Sequence, residues 1–395
     1  MSEQYAGSDH GTTTRTDVLR VGIIGCSAVA QAEHMPVLAR LPGTRVTALA
    51  EPNPARRARA HHQVPAPAIF ENAPELPATA AVDAVKTLHQ GMGCRFSIIV
   101  PTHDRPERLL WCLEALAALS CPRERFEVIV VNDGGAMPAA RRLAQLAERV
   151  QLTIVSQERA GPAHARNLGV EQARGEYLAF TDDDCAPTPE WLAALEEAFL
   201  EAPDALVGGR TVNVLDGNLC SEASQLLIEY LYGYYNGPLD RGGNFFASNN
   251  LAISARSFRE LRGFDSSFGR AGGEDRDLCA RWRLTGGQFH YARSAVVRHA
   301  HALTLGAFAR QHFAYGRGAF QFRMRHIQRG GDPIRIEPLT FYTGLLEFAF
   351  QRYRPWRAAP VGVLMGISQV ANAAGFFWER RSQGGRQDRR EPAQS

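Results

Sequence analysis

FSIIVPTHDRPERLLWCLEALAAL, residues Phe96 to Leu119, sets the pattern on which the rest of the chain is read. Phe96 to Pro101 is an apolar run too short for a buried helix, so it reads as a buried strand; Leu109, Leu110, Leu113 and Leu116 then recur at helical spacing. The same alternation continues. FEVIVVND (Phe126 to Asp133), LTIVSQ (Leu152 to Gln157) and EYLAFTD (Glu176 to Asp182) are strands, with PAARRLAQLAERV and ARNLGVEQA as helices between them. Short apolar strands alternating with amphipathic helices imply an α/β fold, a mostly parallel sheet with helices on its faces. Ligands in such sheets bind beyond the carboxyl ends of the strands. That is where Asp104, Asp133 and the run Asp182, Asp183 and Asp184 fall.

Composition sets the limits. The chain has 395 residues, long enough for more than one unit, with 45% hydrophobic and 22% charged residues, ordinary for a globular protein. A net charge of +3 gives no argument for nucleic acid. Lys86 is the only lysine, so the positive charge is almost all arginine, much of it beyond residue 310. Seven cysteines, odd in number and never spaced CxxC, argue for a reducing compartment rather than a disulfide framework or zinc site. The N-terminus is polar with no apolar signal region, which points to a cytoplasmic protein.

Adjacent like charges repel, so three aspartates after an apolar strand need water or a cation to offset them. They could also cap a helix beginning near Pro189, but one aspartate suffices for that. A cluster at a sheet edge favours Mg2+ or Mn2+, ions that take oxygen ligands together with substrate phosphates.

FSIIVPTHDRPERL, VIVVNDGG, GPAHARNLG and YLAFTDDDC, in this order, resemble the nucleotide-binding half of the family 2 glycosyltransferases, whose fold is of the GT-A type. SNNLAISARSFRELRGFDSSFGRAGGEDRDLCARWRLTG resembles their acceptor half, and the likeness runs from about Cys94 to Phe320. The resemblance implies an inverting transferase that moves a sugar from a nucleoside-diphosphate sugar to a glycan or lipid-linked acceptor hydroxyl, in polysaccharide, cell-wall or glycolipid synthesis. It implies that Pro101, Asp104, Asp133, Arg166, Asp182 and Asp183 bind the donor, that Asp184, Asp182 and His299 hold Mn2+ or Mg2+, and that Asp275, beside Glu274, is the catalytic base. His301 is the weaker candidate of the two histidines. Asn132 stands where the family often has a second aspartate. Asp277 with Arg281 reads as an i,i+4 surface pair.

Residues 18 to 90 resemble a part of the Rossmann domain of glucose-fructose and inositol dehydrogenase-type oxidoreductases, through RVGIIGCSAVAQAEHMPVL and AVDAVKTLHQ. The fingerprint positions read Gly25, Ser27 and Ala30, and Ser27 puts a side chain where the pyrophosphate should come close. Glu51 has the place of a ribose ligand. Without the catalytic motif of those dehydrogenases, this segment is expected to be a remnant or docking module, and an NAD-dependent oxidoreductase is the competing function. A non-catalytic sugar-nucleotide-binding protein is another. The expected organisation is thus a disordered stretch 1–17, the partial Rossmann-like segment 18–90, the catalytic domain 94–320 and a basic helical tail 321–395. Ala358 to Trp378 carries no charge and is about long enough to span a bilayer, so it is a packed core helix, a helix lying on the inner face of the membrane, or a span.

Overall fold

The computed structural model describes residues 19–24, 44–50, 57–58, 68–70, 84–87, 94–236, 244–268, 272–331 and 337–387. The chain forms two compact units, Met1–Gly93 and Cys94–Ser395.

In the first unit, β1 (Leu19–Ile24), β2 (Thr44–Ala50), β3 (Ala68–Phe70) and β4 (Ala84–Thr87) make a parallel sheet in the order β3-β2-β1-β4. That order is the one in which a dinucleotide-binding half begins. Gly25, Ser27, Ala30 and Glu51 lie outside the described residues.

The second unit is built on an eight-stranded sheet in the order β7-β6-β5-β8-β11-β10-β12-β9. Its strands are β5 (Phe96–Thr102), β6 (Phe126–Asp133), β7 (Gln151–Gln157), β8 (Tyr177–Phe180), β9 (Cys185–Pro187), β10 (Leu206–Asn213), β11 (Leu251–Ser254) and β12 (Phe289–His299). Strands β7, β6, β5 and β8 run parallel, as the alternation of short apolar runs and helices requires. Helices α1 (Pro106–Leu116), α2 (Ala140–Ala147) and α3 (Pro162–Glu171) connect them. Every residue of β5, β6 and β8 is buried, which is why these strands read as continuous apolar runs.

Beyond β8 the sheet is mixed. Strand β11 is antiparallel to both β8 and β10, β12 runs parallel to β10, and β9 closes the edge antiparallel to β12. Two glycines inside β10 serve close packing: a Cβ on Gly208 would lie 2.0 Å from the Phe246 ring, and one on Gly209 would lie 2.4 Å from both the Asn250 amide and the Ala295 carbonyl. Asn250 is itself held by the Trp191 indole, which donates to Oδ1 at 2.9 Å.

Helices α4 (Trp191–Glu201), α5 (Leu219–Tyr235), α6 (Ala255–Glu260) and α7 (Glu274–Leu284) flank this half, and α8 (Leu305–Gln328), α9 (Leu339–Arg352) and α10 (Pro355–Gln387) form the C-terminal layer. The expected boundary at residue 320 falls inside α8, which continues to Gln328. Helix α8 crosses α10 at very short range, because a Cβ on Gly316 would lie 1.9 Å from the Asn372 carbonyl and one on Gly375 2.0 Å from that of Phe313. The other side of α8 touches the turn before α7: a Cβ on Gly318 would meet the Gly272 carbonyl at 2.0 Å.

Candidate active site

The carboxyl ends of β5, β6 and β8 bring Asp104, Asp133 and Asp182–Asp184 to one edge of the sheet. The aspartate run does not cap a helix, since β9 intervenes and Glu190 is the residue that precedes α4.

Asp184 is buried and ringed by arginine and histidine side chains. Its Oδ2 receives Arg105 Nη1 at 3.2 Å and Arg108 Nη1 at 3.3 Å and lies 3.1 Å from His301 Nδ1; His299 Nε2 stands 3.4 Å from Oδ1. The histidines arrive through strand register. Strand β12 pairs with β9 so that His299 lies opposite Cys185, and the two imidazoles stack with centroids 5.4 Å apart. Burial alone would raise the Asp184 carboxyl, but hydrogen bonds from His299 and His301, with the charges of His299 and Arg105, hold it well below the usual carboxylate range. Asp184, Cys185 and His299 offer ligand atoms within 4.8 Å of one another. Burial and the neighbouring aspartates push the Cys185 thiol far up, so it stays a neutral thiol, while a carboxylate with an imidazole suits a divalent ion such as Mn2+.

Asp183 points the other way. Its side chain is fully buried, accepts from Thr102 Oγ1 at 2.7 Å and pairs with Arg105 Nη2 at 2.8 Å. Burial pushes it up to about 6 against the pull of Arg105 and Thr102. In this arrangement it seats Arg105 and has no surface open to a donor.

Arg166 joins the two halves of the site. From α3 its guanidinium donates to Asp182 Oδ1 at 2.8 Å and to Glu274 Oε1 at 3.2 Å, and it lies over the Phe264 ring. Glu274 also accepts from the Gly272 N–H at 2.9 Å. The turn needs glycine twice, at Gly272 (φ 128°) and Gly273 (φ 110°), so that α7 can start with its acidic residues at the helix N-terminus. Asp275 is half-buried there, accepting from the Arg276 N–H at 2.8 Å. Burial and the adjacent Glu274 push its carboxyl up, with Arg166 and Arg276 opposing.

Asp133 accepts three hydrogen bonds, from Gln157 Nε2, Ala160 N and Gly161 N, and so fixes the turn that leads into α3. Asp104 has φ 55° and remains exposed beside Gly135, where any Cβ would strike its backbone nitrogen at 2.1 Å. Pro101 is buried in β5, and the Asn132 amide closes the GG turn by bonding Gly135 in both directions. Asp277, expected on the surface, is buried between Arg281, 2.7 Å away, and Arg329.

Sequence reasoning missed four contributors. Arg105 and Arg108 lie on either side of the start of α1, three residues apart and therefore on one face. Gln311 and Tyr315 extend from α8: His301 Nε2 lies 3.2 Å from Gln311 Oε1, and Gln311 Nε2 donates to Tyr315 Oη at 2.5 Å. Only the spacing of Arg105 and Arg108 was visible beforehand; the rest depends on how α8 packs.

Residues 97–262 match the family model for glycosyl transferase family 2. Pre-mycofactocin glycosyltransferase of Mycobacterium tuberculosis is 29% identical over 255 residues, 63% of this chain and 51% of that protein. Glycosyltransferase AglE of Haloferax volcanii is 31% identical over 126 residues, 31% of this chain and 38% of that protein. The chain thus spans about half or less of the length of these curated relatives. The mannosyltransferase PcManGT of Pyrobaculum calidifontis, solved with GDP-Man and Mn2+, aligns with a TM-score of 0.50 at 18% identity, covering 73% of this chain and 88% of that one, a likeness of fold. The comparisons do not support the oxidoreductase resemblance of the N-terminal segment. The motifs, the sheet order and these matches agree: residues 97–262 match the glycosyl transferase family 2 model, and the unit that holds them has a GT-A type α/β fold.

Proposed function

We propose that the protein is a metal-dependent, inverting glycosyltransferase that moves a sugar from a nucleoside-diphosphate sugar to an acceptor hydroxyl of a glycan or lipid-linked acceptor, in polysaccharide, cell-wall or glycolipid synthesis. The observation that carries this reading is the Arg166 bridge, which ties Asp182 of the aspartate run to Glu274 beside Asp275. A candidate cation site and a candidate base are thereby joined through one guanidinium.

Asp184 and His299, with Asp182, would hold Mn2+ or Mg2+, and the bound ion would supply positive charge for the diphosphate leaving group. The chain's own residues do the rest. Asp104 and the turn fixed by Asp133 border the nucleotide, and Pro101 lies in the strand beneath. Arg166 holds Glu274 in place. Asp275 takes the proton from the attacking hydroxyl as the bond from that oxygen to the anomeric carbon forms and the bond to the diphosphate breaks; attack from the opposite face inverts the anomeric centre.

Calorimetric titration of the full chain with UDP-, GDP- and dTDP-sugars, each with and without Mn2+, tests the reading together with Asp184→Ala. One sugar nucleotide should bind more tightly with Mn2+, and the metal effect should vanish in the variant. Absence of binding by every sugar nucleotide would defeat the proposal.

A further inference from the structure

The uncharged stretch Ala358 to Trp378 lies within α10, and the structure separates the three readings open to it. Only about a third of its most apolar part is buried, so α10 is not a core helix. It is also held along its length by the rest of the unit: Gly316 and Gly375 give the close crossing with α8, Phe320 packs edge-on against Phe376, and Glu379 is clasped by Arg317 at 2.7 Å. A helix sutured this way cannot cross a bilayer without tearing off α8.

What remains outside is an apolar face. Trp356, Val363, Val370 and Phe377 recur every seven residues, with exposures of 70%, 64%, 71% and 56%. The other exposed residues from 358 to 378 are Ala359, Ala373, Ala374 and Trp378, so that face carries no polar side chain over this stretch. At 3.6 residues per turn these positions fall within about 140° of arc. The stripe widens onto α9 through exposed Leu346 and Phe350, where Leu346 lies 3.8 Å from a Cβ position on Gly362. Exposed arginines stand at both ends, Arg352 and Arg354 before the stripe and Arg380 and Arg381 after it.

We infer that this face of α10 docks on an anionic lipid surface, with the helix lying in the plane of the interface. Tryptophan at each end and arginine beyond it are the groups that settle at headgroup depth, while the valine and phenylalanine stripe enters the acyl boundary. The charge pattern decides against a second copy of the chain. In an isologous antiparallel pairing of this face, Arg380 and Arg381 of one copy would meet Arg352 and Arg354 of the other. A negative surface is complementary to both ends at once.

The test is co-sedimentation of the full chain with vesicles of phosphatidylcholine alone or with phosphatidylglycerol, at low and high salt, alongside size-exclusion chromatography. Binding to the anionic vesicles should fall with salt. It should weaken roughly 25-fold in Arg380→Gln/Arg381→Gln, from about fivefold for each arginine near a charged surface, and be lost in Val363→Asp/Val370→Asp. All four side chains are exposed, so both variants should melt like the parent. Equal binding to neutral vesicles, retention in membranes after alkaline carbonate, no vesicle binding at all, or a dimer that Val363→Asp/Val370→Asp dissolves would each overturn the inference.

Discussion

Asp184 and Asp275 are both buried or half-buried aspartates next to a second acidic residue, and their surroundings drive them in opposite directions. Asp184 has two arginines and two histidines within 3.4 Å and is held well below the usual carboxylate range. Asp275 has burial and Glu274 on one side and only partial relief from Arg166 and Arg276, so it is raised. The stronger of these two charges, Arg166, spends its hydrogen bonds on Asp182 and Glu274 instead. Pairs of carboxylates whose environments separate their titrations mark a division of labour. A group kept ionised at all working pH suits a ligand, and one poised to take a proton suits a base.

The most severe way to break this contrast is Asp275→Asn. It keeps the shape and removes the proton acceptor, so kcat should fall by about 10² to 10⁴ while donor binding persists. Steady-state rates set against calorimetric donor affinity decide it; an active variant would put the base elsewhere. If Asp275 is the base, the parent protein should show a pH limb: Asp275 has to be ionised to take the proton, and its raised pKa means that kcat/KM should begin to drop on acidification above the ordinary aspartate value of about 3.9.

Arg166→Met attacks the bridge rather than the base. Glu274 would be left buried without its cation, at a cost of about 3–5 kcal/mol. Loss of Arg166's opposing charge should also move the acid limb to higher pH, since that charge now helps keep Asp275 ionised. Urea denaturation and the pH profile report these separately. A stable variant with an unmoved limb would mean that Arg166 does not couple the two halves.

The half of the site that was legible in the sequence is the half built from parallel strands. Buried strands β5, β6 and β8 are continuous apolar runs that end in the candidate site residues, so period and position are read together. The second half hides for physical reasons. In β10 the pair Gly208 and Gly209 looks like a turn, yet it exists to admit Phe246 and Asn250. Strand β11 has four residues and follows a 3₁₀ turn, too short to show a period. Asp277 reads as a surface partner of Arg281 because i,i+4 spacing says nothing of Arg329, which comes from the end of α8. Gln311 reaches His301, and Tyr315 backs Gln311, only through the packing of α8, which no local pattern encodes.

Asp183→Asn gives the smallest effect and the sharpest distinction within the aspartate run. Asp183 is raised to about 6 and Asp184 is lowered, so the two contribute pH dependences of opposite sign. A carboxyl raised in the folded state binds its proton more tightly there than in the unfolded chain. Its contribution is therefore greatest at low pH and declines as pH rises between about 4 and 6. For Asp184 the sign is reversed: the folded state favours the ionised form, and stability is lost as pH falls below the ordinary aspartate range. Replacing Asp183 should flatten the decline between about 4 and 6, a difference on the order of 2–3 kcal/mol at most for a two-unit shift in a fully buried group, partly offset by the lost pair with Arg105. Melting temperatures of parent and variant across that range would reveal it. A decline that survives in Asp183→Asn would have to come from another raised carboxyl, with Asp275 the first to examine.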